Sequence, residues 1–177
     1  MSSFTITNDT TGTFQASLAR PEDAQAVMDL LVSAAKWLRD KGSDQWSGLL
    51  HGEDTHNMRG SIAEGHVFLF KRDGELAGVV MLLPEASEWD RRLWGEDGHG
   101  ESVYLHRLAI AREFAGRGLG RAILSWAETG VYCPGKTKIR LDCVSENMAL
   151  QSFYRRMGYE SKGKAAGYLL FEKELVK

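Results

Sequence analysis

The stretch "SVYLHRLAIAREFAGRGLGRAILSWAETG", Ser102 to Gly130, constrains the fold more than any other part of the chain. Its first residues, "SVYLHRLAI", read as a strand, and Leu119, Ala122, Ile123, Trp126 and Ala127 then recur on one helical face until Gly130 closes the helix. Between them sits "GRGLG", Gly116 to Gly120, so a glycine-rich turn joins a strand to the start of a helix. Closely spaced glycines let backbone approach an anion, and the first free N–H groups of a helix, with its dipole, favour negative charge there. Arg117 and Arg121 add positive charge. A dinucleotide-binding fingerprint would need Gly-x-Gly-x-x-Gly, and counted from Gly116 the third glycine is replaced by Arg121.

The segments around this unit fix its setting. After a short strand, "FQASLA", Pro21 opens a helix to Asp40 with Ala24, Val27, Met28, Leu31, Val32, Ala35 and Leu38 on one face. A weaker helical stretch from Thr55 to Glu64 leads into "HVFLFKRDGELAGVVMLL", a hairpin turning at Asp73-Gly74. Pro84 to Glu101 reads as a long polar connection carrying Trp89 and Trp94. Downstream, "KIRLDCV" is a strand, "SENMALQSFYRRMG" a helix capped by Ser145 with Leu150, Phe153 and Met157 as its buried stripe, and "AGYLLFEKEL" a final strand. A single hairpin upstream of the glycine turn disagrees with repeated βαβ units.

A second anion motif competes on paper. "GVYCPGKT", Gly130 to Thr137, fits G-x-x-x-x-G-K-[ST] letter for letter. A working phosphate loop connects a strand to a helix, whereas this one follows a helix and precedes a strand, and Pro134 removes a backbone donor. It reads as a helix stop and turn.

With 177 residues, 43% of them hydrophobic, the chain has the size of one ordinary domain. Its 22 basic and 24 acidic residues leave a net charge of -2, which gives no nucleic-acid footprint. No apolar run reaches the roughly 18 residues of a membrane span, and "MSSFTITNDTTG" lacks the pattern of a secretory signal, so the expected setting is cytoplasmic and without membrane contact. Cys133 and Cys143 read as small packing residues, and His51, Asp54 and His56 lack a strong zinc spacing, so no metal is expected.

"LHRLAIAREFAGRGLGRAIL" and "LDCVSENMALQSFYRRMGY", in that order, resemble the two cofactor motifs of the GNAT superfamily of N-acetyltransferases, and the resemblance runs from Phe14 to the C-terminus. It implies an α+β fold with a mixed, mostly antiparallel splayed sheet flanked by helices. The Thr- and Asn-rich opening, residues 1–13, has no periodicity and reads as a loose tail or a short edge strand, ahead of a single acyl-CoA N-acyltransferase domain over 14–177. The resemblance further implies acetyl-CoA as cosubstrate. Backbone groups of Leu108, Ala109 and Ile110 would pair with the pantetheine arm, and Gly116, Arg117, Gly118, Leu119, Gly120 and Arg121 would hold the pyrophosphate. Asn147 matches the position that bonds the pantetheine, and Tyr154 the tyrosine beside the thioester sulfur. The family loop carries Gln or Arg where this chain has Ala115, which leaves Arg117 or Arg112 to compensate.

Acyl transfer to an amine needs a neutral amine and a proton for the departing thiolate. A phenol of pKa near ~10 is protonated at neutral pH and can donate to a thiolate whose conjugate acid lies near ~8.5, which suits Tyr154. Its competing reading is a core aromatic. His106, with an ordinary pKa near ~6.5, is the candidate base, and it shares a strand face with Tyr104. A satisfied sheet histidine is the alternative, with Asp142 and Glu101 as weaker bases. Trp37, Trp46, Trp89 and Trp94 could stack on a small amine, serve as core anchors or form a dimer contact. The reading is therefore direct acetyl transfer to a primary amine of a small molecule, with a peptide amine second, a homodimer left open, and a non-catalytic acyl-CoA-binding module as the alternative.

Overall fold

A computed structural model describes residues 3–54 and 56–176. Met1, Ser2, Thr55 and Lys177 lie outside the described residues, and with them the outer ends of the expected tail and domain and the first residue of the weaker helix. The elements in chain order are β1 Thr5–Ile6, β2 Thr10–Thr11, β3 Phe14–Leu18, α1 Ala24–Asp40, α2 Met58–Ala63, β4 Val67–Arg72, β5 Glu75–Leu83, α3 Glu88–Trp94, β6 Ser102–Ile110, α4 Leu119–Thr129, β7 Val131–Tyr132, β8 Lys138–Val144, α5 Met148–Arg156, β9 Glu160–Ala165 and β10 Tyr168–Glu174. The fold is α+β with a mostly antiparallel sheet flanked by helices. The chain forms two compact units, Met1–Met81 with Arg107–Tyr132, and Leu82–His106 with Cys133–Lys177.

In the first unit β2, β3, β4 and β5 pair antiparallel in sequence order. The β4–β5 hairpin closes on Asp73 at φ 53° and Gly74 at φ 78°, the two positive φ values of a turn that matches strand twist. Helix α4 lays Trp126 against Phe68 and Phe70, with ring centroids 5.3 and 5.0 Å apart. Gly78 makes this approach possible, because a Cβ there would lie 2.7 Å from Ile123 Cδ1. Of the face its period marks out, helix α1 buries Ala24, Val27, Leu31 and Ala35 and half-buries Met28, Val32 and Leu38, and it buries Leu30 beside that face. Within residues 1–13, β1 pairs with β7 and β2 with β3, and Phe4 packs edge-on against Phe68. "GVYCPGKT" follows α4 and leads to β8, with its first residues in β7, so its context is the reverse of a phosphate loop.

In the second unit β8 pairs antiparallel with β10 along its whole length, and β10 with β9. The parallel ladder of β6 on β8 runs from Ser102↔Lys138 to Tyr104↔Arg140, while β8 continues to Val144. Helix α5 packs Tyr154 on Phe171 and Tyr159, at 5.6 and 6.0 Å.

Four sequence expectations need correction. The connection from Pro84 to Glu101 contains α3, which starts on a Ser87–Asp90 capping box. Asn147, not Ser145, caps α5, its side chain accepting from the Leu150 N–H at 3.1 Å. The buried face of α5 is Gln151 and Tyr154, and Leu150, Phe153 and Met157 are only half-buried, because the helix presents Tyr154 to the sheet. Strand β9 is an added edge strand whose residues are almost all exposed, so it carries no apolar alternation to read. Among the described residues no helix is long and apolar enough to cross a membrane.

Candidate active site

The second unit gathers three ionisable side chains from three elements: Asp90 of α3, His106 of β6 and Asp142 of β8, with ligating atoms all within 4.8 Å of one another. His106 Nε2 stands 2.9 Å from Asp90 Oδ1 and 3.2 Å from Oδ2. Both side chains are buried, the histidine 6% and the aspartate 1% exposed. Asp90 Oδ2 also accepts from the Ser87 backbone N–H at 3.0 Å and from the Ser87 hydroxyl at 2.9 Å. The neighbouring Trp89 donates its indole N–H to Asp142 Oδ2 at 3.3 Å and sets its ring edge-on to Tyr168. Two adjacent residues of one short helix thus each fasten one member of the cluster.

The two carboxyls differ in charge balance. Burial would raise Asp90, but the hydrogen bond and charge of His106, with both Ser87 donors, outweigh it and hold the group below the ordinary carboxylate value. Burial dominates at Asp142 and pushes its carboxyl up, against the charge of His106 and the Trp89 hydrogen bond. The pair therefore holds one firmly ionised and one more readily protonated group beside an imidazole.

One residue pair back, the last rung of the β6–β8 ladder is itself fastened. Arg140 donates Nη1–H to the Tyr104 hydroxyl and Nε–H to Glu172 Oε2, each at 2.9 Å, and its guanidinium stacks 4.2 Å from the Trp94 ring. The Tyr104 hydroxyl also meets His99 Nδ1, whose Nε2–H donates to the Gly95 carbonyl at 2.6 Å. Burial raises the Tyr104 phenol, with Arg140 opposing.

Tyr154 is buried, and burial pushes its phenol well up, with Cys143 and Asp142 adding in the same direction. Cys143 itself is raised to about 11, by burial first and by Asp142 second. Both cysteines are free and buried. Asn147 spends Oδ1 on its helix cap. Glu101 is exposed, accepts from the Thr137 hydroxyl at 3.2 Å and does not join the cluster. His51 is exposed, and Asp54 instead accepts from the Met58 backbone at 2.7 Å.

The first unit holds the glycine turn. Gly116 has φ 76° and Gly118 φ 79°, both left-handed, and Gly118 is the N-cap of the 11-residue α4. Having no side chain, Gly118 cannot cap the first-turn N–H groups. A Cβ added at Gly116, Gly118 or Gly120 would meet nothing within 4 Å, so backbone lies open along the turn, and Arg117 and Arg121 are exposed beside it. Leu119 is buried and anchors the helix start. Leu108 and Ile110 of β6 are half-buried and Ala109 buried, just beyond Arg107, a buried residue at φ 53° that sits 5.2 Å from the Trp46 ring. A non-glycine residue at positive φ inside a strand marks a local kink. Arg112 stacks 4.2 Å from the Trp37 ring.

Sequence reasoning named His106 and Asp142 but not Asp90. The signal it could have used was Ser87-x-x-Asp90, a helix-start pattern.

Comparison with known proteins agrees with this architecture. Residues 31–159 match the Acetyltransferase (GNAT) family. The chain is 62% identical over 178 residues to the Uncharacterized N-acetyltransferase YesJ of Bacillus subtilis (strain 168), covering 99% of each protein. It is 36% identical to a GNAT-family acetyltransferase of known structure from Listeria monocytogenes 4b F2365, with TM-score 0.72 over 92% of this chain and 95% of that one. The PaiA N-acetyltransferase of Thermoplasma acidophilum, solved in complex with coenzyme A, shares the fold at 16% identity, with TM-score 0.70 over 92% of this chain and 99% of the other.

Proposed function

Because the chain belongs to the acetyltransferase (GNAT) family and is an N-acetyltransferase of that type, we propose that it transfers the acetyl group of acetyl-CoA directly to a primary amine of a small molecule, with His106 as base and Tyr154 as acid. The observation that carries this reading is the buried Asp90–His106 pair with Asp142 beside it.

The residues present fit the cosubstrate. Open backbone at Gly116, Gly118 and Gly120, an N-cap without a side chain, and the exposed Arg117 and Arg121 form a cradle suited to a diphosphate. Backbone groups of Leu108, Ala109 and Ile110 are assigned to the pantetheine arm, as is the Asn147 Nδ2, since its Oδ1 serves the helix. When bound, acetyl-CoA supplies an activated acyl thioester.

The protein's own groups handle the protons. A carboxylate only accepts, so His106 Nε2 carries hydrogen toward Asp90, and the neutral ring's basic atom is Nδ1. Nδ1 takes a proton from the substrate ammonium, freeing the amine lone pair. The imidazolium so formed keeps its ion pair with Asp90. Tyr154, raised by burial, stays protonated at neutral pH; it gives its hydroxyl proton to the leaving sulfur as the proton shed by the attacking nitrogen on becoming an amide returns to the phenol oxygen. The acidic cluster also favours approach of a cationic amine. Direct transfer calls for no metal, and two buried free thiols suit a reducing cytoplasmic setting.

The test is release of coenzyme A thiol from acetyl-CoA across a panel of small primary amines and one lysine-containing peptide. Amine-dependent release with a small amine supports the reading. Release with the peptide alone would move the acceptor class to proteins, and no release from any amine by a protein that binds acetyl-CoA would make it a binding module.

A further inference from the structure

We propose that Asp90 is a positioning residue for catalysis: through Nε2 it holds His106 in the tautomer whose Nδ1 is the basic atom. This rests on the reading above that His106 is the base.

Three observations carry it. First, a carboxylate whose side chain is 1% exposed must be paired, and its imidazole contact joins residues from separate elements, α3 and β6. Second, Oδ2 receives the two Ser87 hydrogen bonds and the one from His106 Nε2 at 3.2 Å, while Oδ1, with no hydrogen-bond partner of its own, lies 2.9 Å from Nε2 as the ion-pair contact. The Asp90 N–H in turn donates to Ser87 Oγ at 3.2 Å, so the carboxylate is locked in a reciprocal cap and cannot swing away from the ring. A cap alone would not also bring the carboxylate within 2.9 Å of the imidazole Nε2. Third, Trp89 of the same helix fixes Asp142, a second carboxyl beside His106. Among the described residues, the carboxyls gathered around the imidazole include Asp90 from α3 and Asp142 from β8, with Tyr104 on the histidine's own strand bonded to Arg140.

The reaction consequence is balanced. One proton leaves the substrate ammonium for Nδ1, the Nε2–H bond is unchanged, and Asp90 stays ionised opposite the imidazolium. Asp90→Asn keeps an acceptor oxygen for Ser87 but presents an amide N–H to Nε2, which forces the other tautomer and protonates Nδ1 in the neutral ring.

Two measurements on the full chain test this. Nitrogen-15 spectra of the histidine-labelled wild-type protein read the tautomer of His106 directly: protonated Nε2 and bare Nδ1 are expected in the neutral ring, and the opposite assignment overturns the proposal even if no variant folds and no acceptor is found. With an amine that the thiol assay identifies, Asp90→Asn should lower turnover on the order of 10²- to 10⁴-fold, move the acid limb of the pH–rate profile, and leave the KM for acetyl-CoA within a small factor. Turnover and acid limb both equal to wild type would reduce Asp90 to a helix cap. If His106→Ala leaves turnover intact while the spectra show the expected tautomer, the base assignment fails and the Asp90 contact stands as structural only, which also ends the positioning role.

Discussion

Replacing Arg140 by Met tests whether the last rung of the β6–β8 ladder is held by charge. The change removes hydrogen bonds at 2.9 Å to Glu172 and at 2.9 Å to Tyr104, while a side chain of comparable length keeps contact with Trp94. It leaves the Glu172 carboxylate, whose side chain is 10% exposed, with Lys162 Nζ at 3.9 Å as its remaining ion-pair partner among the described residues. Stranding a buried charge costs roughly 3–5 kcal/mol, and the residual exposure and Lys162 place this case at the lower end, about 3 kcal/mol. At ~2–4 °C per kcal/mol for a chain of this size, the midpoint should fall by roughly 6–12 °C. Adding Glu172→Leu should recover most of the loss, because replacing both partners of a buried pair by apolar groups is close to neutral. The assay is thermal and urea denaturation of all four proteins of the cycle, followed by tryptophan fluorescence and far-ultraviolet circular dichroism, with heat reading the midpoint shift and urea the free-energy differences. A double variant as destabilised as the sum of the singles would show that the pair is uncoupled, and the reasoning would fail.

Three further outcomes are expected. Tyr154→Phe keeps the ring against Phe171 and Tyr159, so thermal stability should stay near wild type while turnover falls ~10²-fold or more; unchanged turnover would remove the acid role. Gly118→Ala meets no steric neighbour but must hold φ 79°, so it should cost about 1 kcal/mol and weaken stabilisation by acetyl-CoA, both read by thermal unfolding with and without the ligand. Because the folded Asp90 carboxyl lies below 3.8, its stabilisation is complete above that value and is lost as pH falls through the depressed folded value. The stability gap between wild type and Asp90→Asn, measured by urea midpoints from pH 7 to pH 2, should therefore close in acid.

What was legible in the sequence follows from where the information sits. Asp73-Gly74 between two apolar runs, and the glycines of Gly116 to Gly120 between a strand and a periodic helix, are local signals, and both appear at those places. Helix α3 is 7 residues long, too short to display a period, and its polar and glycine neighbours disguise it. Strand β9, "ESKGKA", pairs by backbone while its side chains face solvent, so no alternation marks it. The cap moved from Ser145 to Asn147 because both residue types cap equally well and only the helix geometry chooses. Pairing of Asp90 with His106 joins residues 16 apart through a helix whose existence was itself hidden. The family motifs pointed to His106 as the candidate base and to the glycine turn, and the fold placed the Asp90 carboxylate beside that histidine.

In the proposed reaction His106 accepts the substrate's proton. The most direct measurement is the pH–rate profile of thiol release for wild type and His106→Ala with the same amine. Turnover should fall ~10²-fold or more, and the acid limb should be displaced or lost in the variant, with acetyl-CoA still bound. An acid limb and turnover identical to wild type would contradict it and remove His106 from the mechanism.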